Sequence, residues 1–183
     1  DAFTQTQIRD DALALLDEAK PQRPVHVGLS IGGLFAADVH LAGAAGKAEA
    51  LVFINTLRKI GPRIAWINDA LPVIAKLGGG DLVRDLYGPL LFNEEWQGEN
   101  REQFLKGGYE PLAEDTGTFK LMACGSTMDW DIAYEQLDLP VLNITGLQDR
   151  VFLNPDDVEK LLARLPHVRD ERMANAGHLI PAE

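Results

Sequence analysis

Of 183 residues only one, Cys124, is a cysteine. No internal disulfide can form, and no zinc site can be built on paired thiolates. A lone thiol leans towards a reducing compartment, so the expected location is the cytoplasm. Positive charge is also scarce: 17 Lys and Arg stand against 28 Asp and Glu, a formal net charge of -11. Phosphate backbones are bound by cationic faces, which argues against nucleic acid as a partner. No apolar run is long enough to span a bilayer, and even the stretch from Ile31 to Gly46 carries Asp38 and His40. A signal-peptide pattern and an initiator methionine are both missing. The expectation is that the polypeptide does not begin where its gene begins.

What is present suits one globular domain with a real core, at 46% hydrophobic and 25% charged residues. Ile8, Ala12, Leu15, Leu16 and Ala19 recur at helical spacing before Pro21 and Pro24. "PVHVGL" reads as a short buried strand, and a helical pattern follows from Ile31 through Leu34, Phe35, Val39 and Leu41. "EALVFINT" reads as a second buried strand. From Leu57 to about Leu139 the character changes: Ile64, Ile67, Leu71 and Ile74 form a helical stripe interrupted by Pro72, followed by "LGGG". This stretch reads as a mostly helical insertion. "LPVLNITG" resumes the buried-strand pattern. Asn154, Pro155, Asp156 and Asp157 then supply a cap, a first-turn proline and acids suited to a helix start. A last short strand is expected around Val168 to Met173. Strand, helix, strand, insertion, strand, helix, strand is the grammar of an α/β protein, a parallel sheet with crossover helices. The expected core covers 1–56 and 140–183, and the insertion 57–139.

The chemistry centres on "HVGLSIGGLFA". Ser30 stands where a strand gives way to a helix, between small residues. It is either an incidental serine in a glycine turn or a presented nucleophile. A hydroxyl needs an adjacent base, exposure and donors for the oxyanion before it can attack a carbonyl. A sharp strand-to-helix turn supplies exposure and crowds its neighbours, so Gly28 and Gly32 are expected to be small. It also aims the Ile31 N–H, at the start of a helix, towards the developing charge.

Partners follow in order. Asp149 comes just beyond a buried strand in "NITGLQDRVF", and His178 sits in a loop after the last strand in "NAGHLIP". Ligands of parallel sheets collect at the carboxyl ends of strands, where all three residues would stand. Ser, Asp, His is the chain order expected of such a nucleophile turn.

On "GLSIGG", "GLQD" and "AGHLIP" the sequence resembles the α/β-hydrolase superfamily, in particular its lid-bearing esterase, enol-lactonase and haloperoxidase-like branch. The resemblance covers nearly the whole chain, with the insertion matching the lid. It implies Ser30 as nucleophile, His178 as general base and acid, Asp149 as the group orienting His178, and the Ile31 N–H as an oxyanion donor. It further implies a serine hydrolase acting on a small-molecule carboxylic ester or lactone, with no cofactor. Family members carry several strands and a loop with a second oxyanion donor before the elbow, and a helix after the histidine. The chain is therefore expected to be truncated at both ends. Two alternatives stand beside the esterase: a non-catalytic relative that binds a small ligand, and a cofactor-free perhydrolase.

Other features carry less. Gly28, Gly32 and Gly33 do not spell a dinucleotide or Walker loop. With no carboxylate–histidine cluster at ligand spacing, no metal is expected. His26 reads as a packed strand residue, His40 lies on the helix after the elbow, and His167 precedes the last strand. Gly78–Gly80 is a lid hinge or a plain helix connection, and Trp66, Trp96 and Trp130 line an acyl pocket or pack the lid.

Overall fold

A computed structural model describes residues 3–183, so the first two residues of the expected core lie outside it. Four strands form one parallel sheet: β1 (Val25–Leu29), β2 (Ala50–Ile54), β3 (Val141–Gly146) and β4 (Val168–Met173), ordered β1-β2-β3-β4. Each is followed by or preceded by helix, as parallel connections require. α1 (Gln5–Ala19) precedes β1, α2 (Ile31–Leu41) joins β1 to β2, and α6 (Pro155–Leu162) joins β3 to β4. Between β2 and β3 come α3 (Pro62–Leu91), α4 (Glu94–Asn100) and α5 (Gly117–Cys124). The fold class is that expected from the sequence.

Local signals account for the element starts. Thr4 caps α1 by accepting from the Gln7 N–H, and Asn154 caps α6 by accepting from that of Asp156, with Pro155 in the first turn. The core lies under α2 and α6: Leu34, Ala37, Leu51, Phe53, Val141, Val158 and Leu161 are buried together with Tyr134 and Leu137. At roughly 1.5–3 kcal/mol for each large apolar side chain, this face holds the sheet ends in register.

Three expectations change. β1 is not a buried strand, since Val25 and Val27 are 51% and 61% exposed; it is the sheet edge, and only Gly28 is fully covered. α1 has the expected helical spacing but no buried residue; it packs mainly against α2 and the turn after it. Pro72 does not end α3. The break falls at Gly78 and Gly79, where φ reaches 66° at Gly79 and a Cβ would lie 2.4 Å from Glu110 O. The backbone turns there because only glycine fits both the conformation and the approach of the 110–112 segment. No helix among the described residues is long and apolar enough to cross a membrane.

Candidate active site

Ser30 lies between β1 and α2 with φ 56° and ψ -123°, a backbone strained for any side-chain-bearing residue. Neighbouring contacts hold it there. The Ser30 N–H donates to Ile54 O at 2.8 Å, and the buried Thr56 hydroxyl donates to Gly28 O at 3.3 Å. A Cβ on Gly28 would sit 2.2 Å from the Gly33 nitrogen, so the strand passes too close to the helix for any other residue. Gly32 departs from expectation: a Cβ there meets nothing within 4 Å. The steric demand falls instead on Gly33, whose Cβ would reach 2.0 Å from Thr56 Oγ1. Spacing in the sequence did not reveal this, because the opposing atom comes from the end of β2. Ile31 opens α2, so its N–H has no acceptor within the helix and stands beside the serine.

Asp149 and His178 meet after β3 and β4. His178 Nδ1 lies 2.6 Å from Asp149 Oδ2, and both side chains are buried. A carboxylate can only accept, so Nδ1 carries the hydrogen and Nε2 is left as the basic nitrogen. Asp149 Oδ1 accepts from the N–H groups of Val151 and Phe152 at 3.0 and 2.9 Å. Burial alone would push the Asp149 pKa up. The His178 hydrogen bond and charge, with the Phe152 and Val151 N–H groups, outweigh it and hold the carboxyl below its ordinary value. The Phe152 ring lies against the imidazole, with centroids 4.6 Å apart.

Asn55 escaped the reading of the sequence. It follows β2 with φ 49°, a conformation asparagine tolerates better than most. Its buried amide donates to Gly177 O at 3.0 Å and His178 O at 2.9 Å, and its oxygen accepts from the Gly146 N–H at 2.8 Å. One side chain thus joins the ends of β2 and β3 to the histidine loop. Gly146 permits this closure, since a Cβ there would lie 1.9 Å from Gly177 O. The His178 N–H donates to Leu91 O, which ties the same loop to the end of α3.

Arg58 also went unrecognised. Its Nη1 donates to Ser30 Oγ at 3.1 Å, and its guanidinium lies over the rings of Trp130 at 4.2 Å and Phe152 at 4.4 Å. Burial pulls its pKa down to about 10 against the opposing charge of Asp149, so it remains cationic at neutral pH. Ser30 Oγ therefore meets Arg58 in this structure; the serine and the Asp149–His178 pair share one end of the sheet without a direct bond recorded between Ser30 and His178.

The tryptophans do not share a pocket. Trp66 is 79% exposed, Trp130 covers Arg58, and Trp96 stacks on Phe92 at 3.7 Å. Trp96, Phe92 and Phe104 line a cavity of about 160 Å³ that includes none of Ser30, Asp149 and His178. His26, His40 and His167 lie elsewhere: His40 is buried and accepts from the Ala48 N–H at 3.1 Å, while His167 meets Asp138 on the surface. Among the described residues no group of three His, Cys, Asp or Glu side chains could hold a metal ion.

No family model matches the sequence. No curated protein matches it either. Solved structures do. The enol-lactonase from Burkholderia xenovorans LB400 superimposes with a TM-score of 0.75 at 22% identity, over 97% of this chain and 66% of that one. A thermophilic esterase from Thermogutta terrifontis gives 0.75 at 18% identity, over 100% and 68%. An alpha/beta hydrolase from a Medee basin deep-sea metagenome library gives 0.77 at 20% identity, over 98% and 66%. The chain spans about two thirds of the length of these structures. The superpositions cover nearly all of this chain, and the chain has the α/β-hydrolase fold.

Proposed function

We propose that this chain carries the active site of a serine hydrolase that cleaves a small-molecule carboxylic ester or lactone. The observation that carries this reading is the buried Asp149–His178 pair, 2.6 Å apart, at the same sheet end as a serine in a strained strand-to-helix turn. Ser30 Oγ attacks the carbonyl carbon, and His178 Nε2 takes the hydroxyl proton. Asp149 holds the ring in the tautomer that leaves Nε2 free, and stabilises the imidazolium once formed. The Ile31 N–H donates to the oxyanion. Collapse expels the alcohol, which receives the proton from His178, and water activated by the same nitrogen releases the acid. These steps call for no cofactor.

Residues 57–139 serve in this reading as a lid over a core of 1–56 and 140–183. Supporting it are bonds from the end of α3 and the start of α4 to the loops that carry Asp149 and His178: His178 N–H to Leu91 O, Arg150 N–H to Leu90 O at 2.9 Å, and an Arg150–Glu94 ion pair at 2.8 Å. A second reading, a ligand-binding relative without catalysis, draws on the bond from Arg58 to Ser30 Oγ.

Labelling with a fluorophosphonate and assaying short-chain aryl esters separates the two. A hydrolase gives an adduct on Ser30 and turnover, both lost in Ser30→Ala and His178→Ala. A folded protein that neither labels nor turns over any ester defeats the proposal.

A further inference from the structure

We infer that Arg58 is a catalytic residue that donates to the oxyanion formed when Ser30 attacks, alongside the Ile31 N–H. This rests on the hydrolase reading above. Arg58 is 5% exposed, yet it has no carboxylate partner among the described residues. Asp149, the acid whose charge acts on it, commits one oxygen to His178 and the other to two backbone N–H groups. The guanidinium Nε is buried without an acceptor, and its recorded side-chain partner is Ser30 Oγ. A buried cation without a carboxylate bonded to it is costly to a fold, and a perturbed charged group at a cleft is a candidate site for function. Here the charge would arrive with the substrate.

The position fits that charge. Attack forms the Oγ–carbon bond as the Oγ proton passes to His178 Nε2. The carbonyl π pair moves onto its oxygen, which becomes an anion bonded to the same carbon as Oγ. A donor 3.1 Å from Oγ has that oxygen within reach, and oxyanion donors work at about 2.7–3.1 Å. When the intermediate collapses, the pair returns to the carbonyl, the bond to the leaving oxygen breaks, and Arg58 keeps its proton throughout. The Trp130 and Phe152 rings both lie against the guanidinium, at 4.2 and 4.4 Å, and hold it in place, so little reorganisation accompanies the reaction. Phe152 also touches the His178 ring, which fixes cation and base relative to each other. Ile31 and Arg58 come from the segments that follow different strands, β1 and β2, and both stand beside the serine.

The test compares wild type with Arg58→Met, Arg58→Lys and Arg58→Ala on a neutral aryl ester, with Ser30→Ala as the control for the hydrolase reading. Arg58→Met is expected to lower kcat roughly 100- to 1,000-fold with KM within about threefold. A neutral trifluoromethyl ketone, which forms an anionic hemiketal on the serine, should weaken in parallel with kcat. Arg58→Ala should regain activity on adding millimolar guanidinium, which a purely structural role would not produce. If Arg58→Met does not fold, Arg58→Lys carries the same comparison. The inference is overturned if folded Arg58 variants keep kcat and ketone affinity within threefold while Ser30→Ala is inactive. It is also overturned if the losses appear only on esters whose acyl group bears a carboxylate, since Arg58 would then bind a permanent charge. Activity surviving in Ser30→Ala would instead sink the hydrolase reading itself.

Discussion

His178 Nδ1 and Asp149 Oδ2 stand 2.6 Å apart with 4% and 2% of their side chains exposed. In such a dry setting the carboxylate fixes the tautomer as well as the ring position. Asp149→Asn offers an amide in its place, which can turn its N–H₂ towards Nδ1 and move the imidazole proton to Nε2. Ester turnover is expected to fall on the order of 10⁴-fold with the fold intact. Steady-state kinetics beside a circular dichroism spectrum measure both; a loss under tenfold would remove Asp149 from the mechanism.

The same carboxyl should leave a mark on acid stability. Its folded pKa is depressed, so its contribution is fully present above the unfolded value of about 3.9 and is lost as pH falls through the folded one. Wild-type urea midpoints should therefore drop below about pH 4. Asp149→Asn should show a shallower drop over that range, and parallel curves would contradict the assignment.

Asn55 links three chain segments through one amide, so its loss should loosen the histidine loop before it unfolds the sheet. Asn55→Gly keeps a backbone suited to φ 49° while deleting the bonds. We expect a stability loss of about 1–3 kcal/mol by denaturant titration, from the buried groups left unpaired. Hydrogen exchange should rise at 177 and 178. Asn55→Asp should be worse, because a carboxylate would face two carbonyl oxygens.

The elbow glycines should separate cleanly. Gly32→Ala meets open space and gains helix propensity, so the melting temperature should hold or rise slightly. Gly28→Ala and Gly33→Ala drive a methyl into backbone and into Thr56, respectively. Both should give insoluble protein or a melting temperature lowered by several degrees. Equal behaviour of all three variants would mean the turn is looser than its distances imply.

Arg58 should cost the fold stability. Burial lowers its pKa from the ordinary 12.5 to about 10, so the penalty on the charged form applies at every pH below 10 and is relieved only above it. The shift corresponds to about 3 kcal/mol. Ring contacts with Trp130 and Phe152 offset part of this, by about 0.5–1 kcal/mol each. Arg58→Met should melt at the wild-type temperature or above it in a thermal shift assay. A fall of several degrees would make Arg58 a structural residue.

Chain order, strand patterns and turn chemistry were enough to name the parallel sheet and its four strands, and to single out Ser30, Asp149 and His178 as the candidates that the proposed mechanism uses. Those features depend on near neighbours: an apolar run ends, a glycine turn follows, a helix cap appears. The apolar run "PVHVGL" read as buried although its strand was expected beside an unpaired sheet edge, because burial depends on what lies beside a strand and not on its composition. Spacing alone likewise put the steric demand on Gly32, whereas Thr56, from the end of the next strand, presses on Gly33. Nothing in the residues around Asn55 and Arg58, after "LVFI", marks either as part of a site. Packing brings Asn55 to a loop more than 120 positions away, and Arg58 to a serine 28 positions earlier. Helices and turns are written in adjacent residues, but a buried polar contact is decided by which distant backbone closes over it.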